Sequence, residues 1–181
     1  MFIFTGFNFC WRGFTRYVFS KYKAIIQNES IQDKEDYWSE YFLYDVDKDN
    51  VAELFISRGP GIDNFFTIYT YKNGSAIKCT GVSGYYNKLC ADEYGNGVAI
   101  GVGSGAGDIY HFYTLNGNKF TKTGQKYSFD YAPAFGLKID AFVYALNGKV
   151  ISEDTHRKYF YELPVYDTKD LSYLNRYFHI K

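Results

Sequence analysis

The segment YFLYDVDKDNVAELFIS, residues 41–57, carries the clearest structural pattern in the chain. Its two ends, residues 41–44 and 53–57, are short runs rich in apolar and aromatic side chains, which favour β-strands. The middle of the segment is polar, with three aspartates and an asparagine. The pattern therefore predicts two strands joined by a tight acidic loop, and we use the name acidic loop for residues 45–53.

Oxygen-bearing residues occupy alternate positions of the acidic loop. Asp45, Asp47, Asp49 and Glu53 fall at positions 1, 3, 5 and 9, and Val51 at position 7 has a backbone carbonyl to add. Ca²⁺ binds roughly six to eight oxygens, and alternate residues of a tight loop can converge on one point. The spacing predicts a calcium site, while the strand-like flanks argue against an EF-hand, which needs helices. A solvated acidic turn without metal and a catalytic metal site are the alternatives.

Short apolar runs separated by turns continue after the acidic loop. Four Asn-Gly pairs punctuate them, at positions 73–74, 96–97, 116–117 and 147–148. Asn-Gly suits a two-residue type I′ hairpin turn, in which both residues have positive φ. The pattern predicts a mainly β fold, an antiparallel meander of hairpins. Its further strands are expected at 65–71, 76–80, 98–102, 109–115 and 120–123.

Part of this region repeats itself. A Tyr-Thr pair, inside an apolar run that leads to Asn-Gly, occurs at Tyr69 and again at Tyr113, 44 residues later. Segments 65–80 and 109–123 are therefore predicted to be equivalent hairpins, and 142–151 is a partial third copy. The period matches one four-stranded propeller blade in length. Because closing a propeller takes about four or more blades, we expect a curved antiparallel sheet or a small sandwich instead.

The N-terminal part of the sequence predicts an apolar arm and a helical segment. Residues 14–40 have apolar side chains at helical spacing, with a polar break at 27–30 and a second short helix at 36–41. Residues 1–14 are apolar and aromatic, but they are too few to span a bilayer and lack the basic start and cleavage site of a secretory signal. We expect them to pack on the domain; a displaced start codon that clipped an export signal is the alternative.

A helical segment is also predicted after the last strand. Ser152 is a candidate N-cap for a helix that ends near residue 162, and residues 167–177 are a candidate for a second helix. The sequence thus predicts one domain in three parts. These are an N-terminal arm and helical segment at 1–40, a β-repeat region with the acidic loop at 41–151, and a C-terminal helical segment at 152–181.

The run at 43–56 resembles the calcium loops of FG-GAP and VCBS-type β-propeller repeats. It is more similar to a group of bacterial, often clostridial, surface or lipoprotein-like domains. These share the Tyr-x-Leu-Tyr-Asp-x-Asp start, the Tyr-Thr-Tyr-x-x-Gly hairpin and a late Asn-Gly-Lys segment, here at 147–153. The resemblance covers about residues 41–163 and implies a calcium ion in a structural role, outside the cytoplasm. Asn50 replaces the usual glycine, and the counterpart at 92–98 has lost the alternating aspartates, so we expect no calcium there.

The composition narrows the class of partner. Apolar residues make up 46% of the chain, which indicates a globular protein. The 20 basic and 20 acidic residues balance, which removes the electrostatic argument for nucleic acid or an anionic membrane surface. Any membrane association would then involve only the N-terminus. Aromatic residues make up 22%, and Tyr-rich strands are compatible with a protein or glycan ligand.

The functional expectation is a non-catalytic, calcium-stabilised β module for binding or structure, extracellular or at the cell surface. The alternative is a hydrolase acting on carbohydrate or peptide, with a site assembled from distant residues. This alternative would use either a pair of carboxylates, from residues such as Asp92, Glu93 and Asp108, or His111 beside Asp92 or Glu93.

The three cysteines, Cys10, Cys79 and Cys90, are too few for a disulfide framework. Cys79 and Cys90 form either one bridge or two buried thiols.

The glycine run at 101–107 suggests a close approach and not a nucleotide site. Glycines alternate with other residues there, and strand-like residues follow them, whereas a dinucleotide-binding loop leads into a helix. Alternating glycines leave one face of a strand bare, so that another segment or a ligand can come near. Ser104 within the run lacks the surroundings of a nucleophilic serine.

Overall fold

A computed structural model describes residues 7–32, 39–58, 65–82, 88–91, 97–104, 107–129, 143–157 and 166–179. The helices are α1 (Phe7–Gln32), α2 (Glu153–Arg157) and α3 (Ser172–Tyr177). The strands are β1 (Ser39–Tyr44), β2 (Glu53–Arg58), β3 (Phe65–Lys72), β4 (Ser75–Lys78), β5 (Lys88–Ala91), β6 (Val98–Ser104), β7 (Gly107–Asn116), β8 (Lys119–Phe129), β9 (Val143–Leu146), β10 (Lys149–Ile151) and β11 (Tyr166–Asp167).

The strands form two antiparallel sheets. The first sheet has the order β11-β1-β2-β3-β4, and the second has the order β10-β9-β8-β7-β6-β5. Strands that follow each other in the chain are neighbours within each sheet, apart from β11, and neither sheet closes into a barrel among the described residues. The prediction of a mainly β fold built from hairpins, with helices in the N- and C-terminal parts, is confirmed.

Alternation along β2 explains the layers of the molecule. Leu54 and Ile56 lie on one face of the first sheet and Phe55 on the other, because successive side chains of a strand point in opposite directions. Leu54 and Ile56 pack against α1 and against Leu174 of α3. Phe55 packs on the second sheet, where its ring centre is 6.4 Å from that of Phe120. The first sheet is thus the middle layer, between the helices and the second sheet.

The two sheets share one strand register. Leu54 of β2 lies opposite Tyr69 of β3, and Val98 of β6 lies opposite Tyr113 of β7, so that both residue numbers rise by 44. The same offset relates every pair of β2 and β3 to a pair of β6 and β7. It also relates the four pairs between β3 and β4 to pairs between β7 and β8. Segments 65–80 and 109–123 are therefore hairpins with the same pairing, one in each sheet.

Two of the Asn-Gly pairs make the predicted turn. At 73–74 and 147–148 both residues have positive φ, between 50° and 79°, as a type I′ turn requires. The turn predicted at 116–117 lies one residue later in the structure. Asn116 is still paired in β7, and the turn consists of Gly117, with φ of 66°, and Asn118. The fourth pair is only partly within the described residues.

Helix α1 differs from the prediction in its extent. It begins at Phe7, so much of the expected arm is helical, and it runs without a break through the polar residues 27–30. Ile26 is fully buried and Glu29 is 6% exposed, so packing on the sheet continues the helix where local polarity suggested an end. Residues 36–38 of the second predicted helix lie outside the described residues, and residues 39–41 belong to β1, so the helix prediction is wrong there. No helix in the described part of the chain is both long and apolar enough to span a membrane.

The C-terminal segment follows the prediction in part. Thr155 donates its N–H to the hydroxyl of Ser152 at 3.2 Å, which makes Ser152 the expected cap of α2. The predicted end of this helix falls in residues 158–165, which lie outside the described residues. The second predicted helix was too long at its start, because Asp167 belongs to β11 and α3 begins at Ser172. Strands β5 and β11 were not predicted.

Candidate metal centre

The acidic loop connects β1 to β2 through two residues in the left-handed conformation. Lys48 has φ of 60° and Asn50 has φ of 69°. Asparagine tolerates this conformation better than other residues with a side chain, which explains how Asn50 replaces the usual glycine. The N–H of Asn50 donates to Asp45 Oδ2 at 3.0 Å, and the N–H of Val51 donates to Asp49 Oδ1 at 2.8 Å. The backbone of the loop thus turns inward and draws its carboxylates together.

Three of the predicted ligands converge. Asp45, Asp47 and Asp49 each offer one carboxylate oxygen such that these oxygens lie within 4.8 Å of one another. We call these three residues the aspartate cluster. Asp45 Oδ1 and Asp47 Oδ1 are buried and accept no hydrogen bond in the described structure. A buried acceptor without a partner costs about 1–3 kcal/mol, and a cation would satisfy both oxygens. Because every donor is a hard oxygen, the cluster can hold a metal ion.

The electrostatics of the cluster favour a cation. Burial raises the pKa of Asp47 above its ordinary value, and the charge of Asp49 raises it further. The ammonium group of Lys72, on β3, lowers it; Lys72 Nζ lies 3.7 Å from Asp47 Oδ2. Lys48 covers the outside of the loop and donates to the carbonyl of Asp45 at 2.8 Å. These two lysines neutralise only part of the negative charge.

Glu53 has a position different from that of the three aspartates. Its side chain is fully buried, and it is not in the group of converging carboxylates. Glu53 Oε2 accepts the N–H of Val46 at 2.9 Å, and Oε1 accepts the hydroxyl of Thr70 at 3.1 Å. Burial raises the pKa of Glu53 to about 8, and the charge of Asp47 contributes. Glu53 therefore ties the start of the loop to β3. The ligand roles of Glu53 and of the Val51 carbonyl stay predictions.

Thr70 and Lys72 were missed by the sequence analysis. Both lie on β3, and the register that sets Leu54 opposite Tyr69 brings Thr70 opposite Glu53. Side chains of opposite residues share one face of a sheet, which brings the Thr70 hydroxyl to the Glu53 carboxyl. Thr70 is part of the repeated Tyr-Thr pair, and this was the available signal. The pairing of β2 with β3, which brings Thr70 to Glu53, cannot be predicted from the local sequence.

The counterpart of the acidic loop in the second sheet is shorter. Ten residues lie between Leu43 and Leu54, which are opposite each other in β1 and β2. Only six lie between Ala91 and Val98, which are opposite each other in β5 and β6. Most of that connection lies outside the described residues, including Asp92 and Glu93. The difference of four residues accompanies the loss of the alternating aspartates in this part of the sequence.

The other candidate residues are dispersed. His111 lies in the middle of β7, half-buried, and burial followed by the charge of Lys122 lowers its pKa. Cys79 and Cys90 are free thiols and form no bridge; Cys90 is buried as expected, and Cys79 is partly buried. Burial raises the pKa of Cys79 to about 12, which keeps it a protonated thiol at neutral pH. Ser104 ends β6.

Gly101 shows the close approach that the glycine run suggested. A Cβ atom at this position would lie 2.6 Å from a ring carbon of Tyr110, the residue opposite it in β7. The bare face of β6 is therefore occupied by a side chain of the same sheet at this point. A ligand need not be invoked to explain Gly101.

A cavity of about 310 Å³ lies at the end of β4. Its lining includes Phe66, Ile68, Lys78, Cys79 and Phe120, and it contains no carboxylate. It contains no histidine either, so this cavity offers neither the pair of carboxylates nor the His–carboxylate pair of the hydrolase alternative.

Comparison with known proteins gives no indication of function, so the functional assignment rests on the site itself. No protein-family model matches the chain, and neither a curated protein nor a solved structure matches it.

Proposed function

We propose that the protein is a non-catalytic, calcium-stabilised β module that serves binding or structure at the cell surface. One observation carries the proposal: the aspartate cluster converges, with two buried carboxylate oxygens that accept no hydrogen bond in the described structure. The proposal also draws on the resemblance of the acidic loop to the calcium loops of FG-GAP and VCBS-type repeats, in which the ion is structural.

Calcium suits the cluster better than other common metal ions. The converging donors are three carboxylates, without histidine or cysteine, which disfavours zinc. Mg²⁺ needs a compact octahedral shell and keeps several waters, whereas Ca²⁺ accepts roughly six to eight oxygens in variable geometry. A loop that adds backbone carbonyls to its carboxylates can meet the second requirement. We therefore propose Asp45, Asp47 and Asp49 as ligands, with Val51 and Glu53 completing the set.

The position of the loop supports a structural role for the ion. The loop joins β1 and β2, and both strands contribute side chains to the two largest buried clusters of the described structure. A cation that neutralises the aspartate cluster would stabilise this connection and therefore both layers. A ligand that binds only the folded state stabilises it by mass action.

The partner of the module is proposed to be a protein or a glycan. Tyr17 is 50% exposed and Tyr177 is 40% exposed. Tyrosine rings of this kind combine an apolar face with a hydroxyl group and are frequent at binding surfaces. The balanced charge of the chain favours neither nucleic acid nor an anionic membrane.

Calcium titration of the chelator-treated protein tests the proposal. We expect one Ca²⁺ per chain, with weaker binding of Mg²⁺, when heat is measured by isothermal titration calorimetry. Asp49→Asn should weaken binding by about tenfold or more, because it removes one charged ligand. Asp154→Asn, an exposed carboxylate on α2, is the matched control and should bind as the wild type does. Absence of binding to the folded wild type would refute the calcium proposal.

Lys72→Met gives a second prediction, with opposite effects in two conditions. Without metal, the variant loses the partner of Asp47, and its free energy of unfolding should fall by up to about 1 kcal/mol. With metal, the ammonium no longer competes for the cluster, and calcium affinity should rise about two- to fivefold. Lys78→Met, at an exposed position on β4, is the control. An unchanged calcium affinity of Lys72→Met would show that the lysine does not act on the site.

A further inference from the structure

Helix α1 reaches the acidic loop through one buried tyrosine. The side chain of Tyr22 is fully buried between α1 and the first sheet. Its hydroxyl donates to the carbonyl of Ala52 at 2.8 Å and lies 3.4 Å from the carbonyl of Tyr69. Ala52 precedes Glu53, the last residue of the loop. A residue of the N-terminal helix therefore fixes the backbone at the point where the loop enters β2.

The hydrogen bond of Tyr22 is enclosed while α1 is docked. The hydroxyl is enclosed, and the Ala52 carbonyl would be left without this donor if the helix moved away. Burial, followed by the charge of Glu53, raises the pKa of Tyr22 well above its ordinary range. The hydroxyl thus stays protonated and remains a donor at any working pH.

The contacts continue from Ala52 to the aspartate cluster. Glu53 is the next residue, and its carboxyl accepts the N–H of Val46. Val46 lies between Asp45 and Asp47, the two residues with buried carboxylate oxygens that accept no hydrogen bond in the described structure. Tyr22 and the cluster are therefore linked by two hydrogen bonds and two covalent steps, which alternate.

One face of α1 packs on the rest of the molecule. In the part of the helix whose side chains are described, Val18, Tyr22 and Ile26 are its buried apolar residues, and Phe19 and Ile25 are partly buried beside them. The opposite face is exposed. A helix attached along one face can dock and undock as a unit, and this gives the two arrangements that coupling between sites requires.

We propose that docking of α1 and closure of the acidic loop around its cation are one coupled transition, transmitted by the hydrogen bond from Tyr22 to Ala52. The proposal rests on the proposed calcium site and adds its regulation. Calcium should hold α1 on the sheet, and a docked α1 should raise the affinity for calcium by the same factor, because linkage is reciprocal.

Hydrogen exchange followed by mass spectrometry tests the coupling on the full chain. The proteins are the wild type, Tyr22→Phe and Tyr17→Phe, each with calcium and with chelator. Tyr17→Phe is the matched control, since Tyr17 lies on the same helix and is 50% exposed. For the wild type and Tyr17→Phe, calcium should slow exchange in residues 16–32 by about tenfold. In Tyr22→Phe this protection should fall several-fold, and calcium affinity should fall by the same factor.

Two results would overturn the proposal. One is protection of the loop by calcium without protection of α1. The other is a Tyr22→Phe protein that matches Tyr17→Phe in both affinity and exchange. If Tyr22→Phe does not fold, Val18→Ala replaces it, since Val18 holds the same helix without contacting the loop by a hydrogen bond; an unchanged calcium affinity would again refute the coupling.

The measurements in chelator distinguish a failure of this proposal from a failure of the proposed calcium site. If the wild type binds no calcium, the proposed function fails, but the link between helix and loop is still measured. In chelator, Tyr22→Phe should exchange the loop amides of Asn50 and Val51 faster than Tyr17→Phe does, because the anchor of the loop is lost. Equal exchange of these amides in the two variants would refute the link itself.

Discussion

Asp47→Asn is expected to remove most of the thermal stabilisation that calcium gives to the wild-type protein. At a free calcium concentration 100 times its Kd, a bound ion adds about 2.7 kcal/mol to the free energy of unfolding. For a chain of this size that corresponds to an increase in Tm of about 5–10 °C. The substituted asparagine would keep the shape of the side chain but lose its charge, in a cluster where Asp47 provides one of the converging oxygens. The calcium-dependent increase should fall to a degree or two.

In chelator, the same substitution should raise the Tm or leave it unchanged. Burial and the neighbouring Asp49 raise the pKa of Asp47, so the ionised carboxylate is unfavourable in the metal-free fold. Replacing it with a neutral amide relieves this cost, although it also removes the contact with Lys72, worth at most about 1 kcal/mol. Differential scanning calorimetry in calcium and in chelator measures both effects, with Asp154→Asn as control. If the Tm of Asp47→Asn rises with calcium as much as that of the control, Asp47 is not a ligand.

Local sequence was sufficient for most of the strands and for two of the four Asn-Gly turns. The consecutive apolar residues Leu54, Phe55 and Ile56 are typical of a strand that is buried on both faces, and β2 is such a strand. Asn-Gly pairs predicted turns because positive φ is a property of the residue itself. The break expected in α1 failed for the complementary reason. Residues 27–30 are polar, but burial of Glu29 against the rest of the molecule is a tertiary property that local polarity does not report.

The candidate site was predictable only as far as it is local. Asp45, Asp47 and Asp49 converge because they alternate along one tight loop, and their spacing in the sequence predicts this. Tyr22 and Thr70 contact the loop from 30 and 17 residues away, respectively, as counted from Ala52 and Glu53. Their positions depend on how α1 and β3 pack on β2, which is set by register and layering. The shared register of the two hairpins had a signal in the 44-residue repeat, but the division of the chain into two sheets had no local signal.

Glu53→Gln should change how stability depends on pH in the metal-free protein. The ordinary pKa of this carboxyl is 4.5, and burial raises it to about 8 in the folded state. Between these values the folded protein keeps the proton and the unfolded chain releases it. The folded state then binds more protons than the unfolded state, so the free energy of unfolding falls as pH rises. The contribution of Glu53 is complete below about pH 4.5 and is lost progressively up to about pH 8.

Glutamine reproduces the neutral acid at every pH. Its carbonyl can accept the N–H of Val46, and its amide can donate to the hydroxyl of Thr70, so both contacts of Glu53 have a counterpart. In chelator at pH 4.5, Glu53→Gln and the wild type should have similar free energies of unfolding. By pH 8 the variant should be the more stable protein by on the order of a few kcal/mol, because one pKa unit corresponds to about 1.4 kcal/mol.

Calcium should remove the stability advantage of Glu53→Gln over the wild type at about pH 8. A cation in the aspartate cluster attracts the ionised form of Glu53 and lowers its pKa, so the wild type recovers at about pH 8 the stability that it loses in chelator. The glutamine side chain, which carries no charge, gains nothing from that attraction. Urea unfolding at several pH values, with calcium and with chelator, measures all four curves, and Glu153→Gln on the exposed first turn of α2 is the control. Parallel curves for Glu53→Gln and the wild type in chelator would show that Glu53 is ionised in the metal-free fold. The loop would then hold four carboxylates against their mutual repulsion, and the wild type should depend on its cation for stability still more strongly than proposed.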